Sequence, residues 1–189
     1  ILDDLPEKQR SRFRYGQWVK GEGCIYEKFT EEMIVDPEDL PEMDYYTGGL
    51  DFGMNMAAVK IGQLNDSVYI VADFGGYNVT ARSFDEKVRD AGWFEDGFPF
   101  YCDPAGGERI QEITGGVKAN NAVDSGIDYI CSLIERKRFF VASICQGVLS
   151  EIWDYCRDES DTIIKVNDHF MDALRYGVFS GVQRGVILT

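Results

Sequence analysis

Most acids of the chain are expected to lie on the solvated surface, but three aspartates differ in their sequence surroundings. Asp51 lies in the apolar, glycine-rich run GGLDFG, and Asp103 closes the apolar run FPFYC. Asp172 lies in the segment VNDHFMDALRYG, residues 166–177, which also holds the single histidine of the chain, His169. If these side chains converge, they form a group of carboxylates with an imidazole beside it.

Converging carboxylates repel one another, and this raises their pKa values unless a cation compensates. Mg²⁺ and Mn²⁺ prefer carboxylate oxygens and water as ligands. Two such ions about 3.5–4 Å apart can activate a water molecule and stabilise the leaving oxygen of a phosphodiester. The chemistry that these residues suggest is therefore metal-dependent phosphodiester hydrolysis, in a cleft whose negative potential the bound ions reverse.

Each acid also has a simpler interpretation. Asp51 could be a turn residue after a strand, and Asp103 could be the N-cap of a helix. Asp172 could be solvated, because a helical wheel places it away from the apolar stripe of the last helix. Asp168 is interpreted as an N-cap or a supporting acid, since aspartate is favoured at helix starts. Spacing alone does not decide between these interpretations.

The hydrophobic pattern predicts the elements that would position these acids. Runs of β-branched and aromatic residues predict three consecutive strands, with a hairpin signal, Asn-Asp-Ser at 65–67, between the second and third. Apolar residues at three- and four-residue spacing predict the helices, the first with Thr80 as its N-cap. The predicted segments are strands YYTGGLDFG, MAAVKIGQL and SVYIVADFGG, a helix in NVTARSFDEKVRDAGW, strand 98–103, a short helix in GGERIQEIT, helix 124–138, strand 139–142, helix 144–156 and helix 167–180.

This order predicts an α/β fold. A meander of three strands followed by alternating helices and strands indicates a sheet with an antiparallel portion first and crossover helices later. Ribonuclease-H-like folds have this order, and other three-layer sheets share it. The strands that carry Asp51 and Asp103 can be neighbours in such a sheet, and a C-terminal helix packed on it could add Asp172.

Composition limits the functional classes. With 189 residues, 44% of them hydrophobic, the chain is expected to fold as one domain. It has no apolar run near the ~20 residues of a membrane span and no signal-peptide pattern, so we expect a soluble protein without membrane contact. The net charge of −14 opposes nucleic-acid binding unless metal ions or a basic neighbour intervene. The five cysteines form no C-x-x-C pair and are interpreted as small buried residues in a reducing compartment.

Several of these segments resemble the nuclease domain of the large terminase subunit of tailed bacteriophages. GGLDFG resembles the first catalytic strand of that family, and YCDPAGGERIQEI resembles its second aspartate with the following Asp-Pro turn. VNDHFMDALRYG is similar to its C-terminal signature, Asp-His followed after two residues by Asp-Ala-x-Arg-Tyr. GQWVKGEGCIYEKF resembles the segment that joins the ATPase to the nuclease, and residues 123–156 resemble the intervening helix-strand-helix. The resemblance covers almost the whole chain.

The resemblance implies an RNase H-like, two-metal endonuclease that cuts concatemeric double-stranded viral DNA during genome packaging. Asp51, Asp103 and Asp172 would be the metal ligands, and two Mg²⁺ or Mn²⁺ ions would be the cofactors. His169 could ligate the second ion and favour Mn²⁺, which imidazole suits better than Mg²⁺. Alternatively, His169 could orient water or the scissile phosphate, or it could be a surface residue at a helix start.

The resemblance also implies a division of the chain. Residues 1–44 would be a linker or N-terminal extension from an ATPase domain, with a short helix in residues 1–18 and an extended stretch, VDPEDLPEMD. Residues 45–189 would be the nuclease domain. The chain starts at Ile1 and contains no G-x-x-x-x-G-K-[ST] motif, so we expect a fragment without ATPase activity. Its partners would be double-stranded DNA, the terminase ATPase domain, the small terminase subunit and the portal, in the cytoplasm of the bacterial host.

Two other functions fit the same residues. The chain could be another RNase H-like nuclease, such as a resolvase or a transposase-like enzyme, which would prefer branched DNA or transposon ends. It could also be a non-catalytic docking module whose acidic surface binds a basic viral partner, and which would bind no metal. A kinase is excluded because the two DFG tripeptides, at 51–53 and 73–75, lack the other kinase motifs.

Overall fold

The computed structural model of the protein describes residues 23–93 and 97–183, so the helix predicted within residues 1–18 lies outside the described residues. The strands are β1 (Ile34–Val35), β2 (Tyr45–Asp51), β3 (Asn55–Leu64), β4 (Ser67–Tyr77), β5 (Phe100–Cys102), β6 (Gly116–Lys118) and β7 (Phe139–Ala142). The α-helices are α1 (Ala81–Asp90), α2 (Val123–Glu135), α3 (Gln146–Ile152) and α4 (His169–Gln183). Short 3₁₀ segments span Glu31–Met33, Pro37–Asp39 and Pro104–Glu112.

The strands form a mixed sheet in the order β1-β7-β4-β3-β2-β5-β6. β2, β3 and β4 pair antiparallel, and Asn65, with a φ of 53°, forms the turn between β3 and β4. β5 then pairs parallel with β2 and β6, and β7 pairs parallel with β4 and β1. The predicted α/β class, with an antiparallel meander followed by parallel strands, is confirmed.

Helices cover both faces of the sheet. Successive residues of a strand point to opposite faces, and β3 places Val59 and Ile61 in a core with α2, α3 and α4. The alternate residues Met56 and Ala58 lie in a second core on the side of α1, which contributes Phe84. The sheet is therefore the middle of three layers, and α4 lies on the face opposite α1.

α4 approaches β2 very closely. A Cβ atom at Gly49 would overlap the carbonyl oxygen of Ala173, and a Cβ at Gly177 would come within 3.0 Å of the Gly49 backbone nitrogen. The glycines of GGLDFG and of the last helix therefore allow backbone-to-backbone contact between strand and helix. This contact fixes the height of α4 above the strand that ends at Asp51.

Some segments differ from the sequence-based expectation. β1 and β6 were not predicted, because they have only two and three residues and, unlike β5, do not lie in an apolar run as long as FPFYC. The short helix expected in GGERIQEIT is a 3₁₀ segment broken at Gly107, whose φ is 57°. α3 ends at Ile152 rather than at residue 156. The backbone of Cys156 is extended and forms an isolated antiparallel β-bridge with that of Cys24, without a disulfide.

The segment before residue 45 packs into the same body as the rest. Tyr26, Phe29 and Met33 are buried in the core on the α4 side, and β1 pairs with β7 at the sheet edge. The interpretation of residues 1–44 as an extension from another domain stays a prediction, but residues 26–35 are part of this fold. The five cysteines are free thiols. Across the described ranges, the helices are too short or too polar to cross a membrane.

Candidate metal-binding and catalytic site

Asp51 and Asp103 stand at the carboxyl ends of two neighbouring parallel strands. In the β2–β5 pair, Leu50 lies opposite Cys102, and the backbone N–H of Asp103 donates to the carbonyl oxygen of Leu50 at 2.8 Å. Because both strands run in the same direction, the residue after each pair lies at the same edge of the sheet. The sheet register therefore brings the two aspartates together.

Both aspartates also face α4. Asp51 lies two residues after Gly49, which touches α4, so the alternation of side chains places Asp51 on the same face. Asp103 lies two residues after Tyr101, which is buried against Tyr176 of α4. The carboxyl edge of β2 and β5 and the first two turns of α4 therefore enclose one small region.

His169, the first residue of α4, is bound to Asp51. Its Nδ1 lies 3.0 Å from Asp51 Oδ2, and its Nε2 lies 3.4 Å from Asn55 Nδ2. An ionised carboxylate only accepts hydrogen bonds, so Nδ1 carries the proton and Nε2 of a neutral ring can accept from the Asn55 amide. The imidazole is 31% exposed, which leaves its Nε2 edge accessible from solvent.

Asp172 lies one helical turn further along α4 and is held by two cations. Its Oδ1 accepts a hydrogen bond from Arg175 Nη2 at 2.8 Å, and its Oδ2 lies 3.2 Å from Lys165 Nζ. The Arg175 side chain is 2% exposed and also donates from Nη1 to Asn121 Oδ1 at 3.3 Å. The interpretation of Asp172 as a solvated helix residue, based on the helical wheel, is therefore wrong: its side chain is 14% exposed.

Asp103 combines two roles. Its Oδ1 accepts from the backbone N–H of Ala105 at 2.9 Å and thereby caps the 3₁₀ segment that starts at Pro104. The same oxygen lies 3.4 Å from the hydroxyl of Tyr176, which donates to it from α4. Asp103 is therefore an N-cap, as the simpler interpretation has it, and its side chain also faces α4 and the other acids.

The charges of these acids act on one another. Burial raises the pKa of Asp51 to about 6, although the hydrogen bond from His169 lowers it. The negative charges of Asp172 and Asp103 contribute further to the increase. Asp51 is therefore in the electrostatic field of both other aspartates, which is the environment that a bound cation relieves.

Lys165 supplies positive charge at the entrance of this region. Its Nζ lies 2.8 Å from Asp168 Oδ2 and 3.2 Å from Asp172 Oδ2. Burial lowers the pKa of Lys165, but its hydrogen bonds and the charges of Asp168 and Asp172 outweigh that effect and raise it. Asp168 is thus a supporting acid that binds Lys165.

The chemistry of the donor set fits Mg²⁺ or Mn²⁺, since it consists of carboxylate oxygens with one imidazole nitrogen. In the part of the chain that the structure describes, however, no three His, Cys, Asp or Glu side chains are already grouped to hold a metal ion. The reason is visible in the contacts: Asp51 is directed to His169, Asp103 to Ala105 and Asp172 to its two cations. Binding a cation requires these side chains to reorient.

Sequence reasoning did not assign roles to four residues that build this region: Glu151, Lys165, Arg175 and Tyr176. Glu151, on α3, accepts hydrogen bonds from the backbone N–H groups of Phe170 and Met171 at the start of α4. One signal could have identified it, because Glu151 lies three residues after Val148 on the apolar face of α3, where a charge needs a partner.

In sequence, the chain is similar to the terminase large subunits of Enterobacteria phage LP7 and Salmonella phage P22. Each is 29% identical to the chain in an alignment 201 positions long, which covers 94% of the chain. The alignments cover 42% of the LP7 subunit and 40% of the P22 subunit, so the chain spans about two fifths of the length of these relatives. No model of a known protein family matches the chain.

The solved structures that are similar to the chain are also large terminases or their nuclease domains. The large terminase of a thermophilic bacteriophage in complex with ATP-gamma-S matches with a TM-score of 0.74 at 23% identity, over 94% of this chain and 52% of that one. The P22 large terminase nuclease domain matches with a TM-score of 0.71 at 22% identity, over 86% of this chain and 94% of that domain. The nuclease domain of the large terminase from bacteriophage SPP1 with bound Mn matches with a TM-score of 0.63 at 16% identity, over 84% and 98%.

The expected resemblance is thereby confirmed, and so is the expected fold. The match covers nearly all of two isolated nuclease domains but about half of the large terminase from the thermophilic phage. The chain is thus similar in sequence to terminase large subunits, and its fold is the RNase H-like fold of their nuclease domains.

Proposed function

We propose that this chain is the nuclease part of a large terminase subunit and that it hydrolyses double-stranded viral DNA during genome packaging, with divalent metal ions as cofactors. The observation that carries the proposal is the meeting of Asp51 and Asp103, at adjacent strand ends, with the first turns of α4. The terminase large subunits among its relatives support the substrate, and the Mn-bound SPP1 domain supports the cofactor.

Asp51, Asp103 and Asp172 are the residues that would hold the cations. When bound, two Mg²⁺ or Mn²⁺ ions would activate a water molecule and stabilise the leaving oxygen of the phosphodiester. Arg175 holds Asp172, and Tyr176 holds Asp103, so both acids are kept at the α4 side of the strand ends, where a cation could reach them.

The role of His169 follows from its contact with Asp51. Because Nδ1 is bound to the carboxylate, the ring is oriented, and Nε2 would take part in the reaction by exchanging its contact with Asn55. Nε2 could ligate the second ion or orient the attacking water or the scissile phosphate. A His169→Gln variant that kept Mn²⁺ affinity but lost turnover would favour the orienting role over the ligand role.

Cleavage of plasmid DNA with Mn²⁺ or Mg²⁺ tests the proposal. We expect the wild-type chain to cut supercoiled and linear duplex DNA, and the Asp51→Asn, Asp103→Asn and Asp172→Asn variants to lose at least about 100-fold in rate, as expected when a carboxylate that holds the cation is lost. Asparagine is preferable to alanine at 172, since it keeps a hydrogen-bond acceptor for the buried Arg175.

Asp128→Asn is a matched control, because Asp128 is an exposed acid on α2. It should cut as fast as the wild type. Variants at the three aspartates that also cut as fast as the wild type would refute the site. Faster cleavage of four-way junctions than of linear duplex would point to a resolvase, and the lack of any Mn²⁺ binding by calorimetry would point to the docking module.

The surroundings of the reaction belong to the same proposal. In the intact assembly we expect the ATPase domain, the small subunit and the portal to hold the DNA, in the cytoplasm of the bacterial host. The 189 residues contain no G-x-x-x-x-G-K-[ST] motif, so purified chain should not hydrolyse ATP. ATP turnover above background in pure material would contradict this.

A further inference from the structure

A buried acid outside the aspartate group holds the start of α4. Glu151, 7% exposed, accepts hydrogen bonds at Oε2 from the backbone N–H groups of Phe170 at 2.7 Å and Met171 at 3.2 Å. The first N–H groups of a helix have no partner within the helix. Glu151 supplies that partner from α3, 19 residues before Phe170 in the chain, and its carboxyl group lies at the turn of α4 that carries His169 and Asp172.

α3 itself is fixed to the sheet by a second acid. Asp73 of β4 accepts a hydrogen bond at Oδ2 from the backbone N–H of Val148 at 2.8 Å. Burial raises the pKa of Asp73, while the N–H groups of Val148 and Gly147 lower it. A chain of carboxyl-to-backbone contacts therefore runs from β4 through α3 to the start of α4.

The ring of Phe170 completes this connection. A Cβ atom at Gly147 of α3 would overlap the Phe170 ring, and a Cβ at Gly75 of β4 would lie 3.2 Å from it. Phe170 follows His169 directly in the sequence, so the two glycines form the slot that sets where α4 begins. The position of the imidazole relative to Asp51 depends on this slot and on Glu151.

We propose that Glu151 is a positioning residue of the nuclease site, acting through the start of α4 to set His169 and Asp172 against the ends of β2 and β5. It acts as a hydrogen-bond acceptor for the backbone and does not touch the DNA. The kinetic part of this inference rests on the proposed nuclease function. A neutral acceptor of the same shape is sufficient for the role, so glutamine should replace glutamate.

Four variants of the full chain test the inference. Glu151→Ala should remain folded and lower kcat for plasmid cleavage about 10- to 100-fold with KM for DNA unchanged, because small displacements of reacting groups have effects of this size. Glu151→Gln should stay within about threefold of wild type, since its amide oxygen accepts the same N–H groups. Asp128→Ala, which removes an exposed acid of α2, is the control and should equal the wild type.

Gly147→Ala tests the slot without changing Glu151. Its Cβ displaces the Phe170 ring, and we expect the same loss of kcat at unchanged KM. If Glu151→Ala does not fold, the kcat of Gly147→Ala alone tests the inference. Wild-type kcat in a folded Gly147→Ala or Glu151→Ala variant overturns the inference. So does a Glu151→Gln variant as slow as Glu151→Ala, because it would mean that the negative charge matters.

A second readout is independent of DNA cleavage. His169 is the single histidine of the chain, so its imidazole gives one unambiguous set of ¹H–¹⁵N correlations by NMR. Without metal or DNA, these signals should move in Glu151→Ala and Gly147→Ala and stay in place in Glu151→Gln and Asp128→Ala. Unmoved signals in both of the first two variants overturn the positioning role. A wild-type chain that cuts no DNA would reject the proposed function and leave this readout intact.

Discussion

At the scale of single residues, side chains of α4 contact all three aspartates of the candidate site. His169, Asp172 and Tyr176 follow one another at three- and four-residue spacing and therefore share a face of the helix. That face meets Asp51 through His169 and Asp103 through Tyr176, while Arg175 holds Asp172 from the next turn. The signature Asp-His-x-x-Asp-Ala-x-Arg-Tyr thus contains acids together with the donors that orient them.

The buried Arg175–Asp172 pair predicts a difference between two substitutions of the same residue. Asp172→Ala leaves a guanidinium that is 2% exposed without its anion, and breaking a buried pair in this way costs about 3–5 kcal/mol. Asp172→Asn keeps an acceptor oxygen and should cost clearly less. Urea unfolding followed by circular dichroism would measure both free energies of unfolding.

Asp124→Ala is the matched control for that experiment. It removes the acid of an exposed pair, Arg157 with Asp124, whose carboxylate side chain is 78% exposed. Exposed pairs contribute about 0–1 kcal/mol, so this variant should be nearly as stable as the wild type. Equal losses for Asp172→Ala and Asp124→Ala would show that the Arg175 pair does not stabilise the core.

At the scale of elements, the sequence predicts what depends on local patterns. The run FFVA predicted β7 with correct bounds, and the hairpin signal at 65–67 predicted the turn between β3 and β4. The order of elements allowed the strands of Asp51 and Asp103 to be neighbours but did not establish it, because the strand order of a sheet depends on packing between distant segments. The Asp172–Arg175 pair has the i,i+3 spacing of neighbours on a helix. The contacts of Asp172 with Lys165 and of Arg175 with Asn121 could not be predicted, since these partners reach α4 from other segments and a helical wheel describes one helix alone.

The contact between α3 and α4 predicts a dependence of stability on pH. Burial raises the pKa of Glu151 from its ordinary value of 4.5 to about 8, although the N–H groups of Met171 and Phe170 lower it, and the charges of Asp168 and Asp51 add to the increase. Between pH 4.5 and about 8, Glu151 is therefore protonated in the folded state and ionised in the unfolded chain. The contribution of Glu151 to stability is complete below pH 4.5 and decreases as the pH rises towards 8.

Glu151→Gln should remove this contribution. One proton accounts for at most about 1.4 kcal/mol per pH unit, so the variant should lose stability less steeply than the wild type between about pH 5 and 8. Chemical denaturation at several pH values measures the two slopes. Burial also raises the pKa values of Asp51 and Asp73, so part of the slope should remain in the variant. Identical slopes would mean that Glu151 is ionised in the folded protein throughout this range.

At the scale of the whole molecule, charge limits how the chain can bind DNA. The chain has 19 basic and 33 acidic residues, for a net charge of −14. Basic side chains of the described residues are in addition paired with acids, including Arg138 with Asp66, Arg157 with Asp124 and Lys165 with Asp168. The excess of acids repels phosphates, and these pairs reduce the charge that some lysines and arginines can offer to them, so we expect the counterion release that drives most DNA binding to be small.

We expect the chain alone to bind duplex DNA weakly, and more weakly as salt increases. Fluorescence anisotropy with a labelled duplex, at salt concentrations between about 50 and 200 mM, would measure Kd and its salt slope. Ca²⁺, which binds carboxylates and reverses their local potential, should tighten binding in the wild type, because phosphate oxygens can then share the cation. The same addition should have less effect in Asp51→Asn, while Asp128→Asn should respond like the wild type. Micromolar or tighter binding without a divalent ion, insensitive to salt, would contradict the expectation that follows from the net charge of −14.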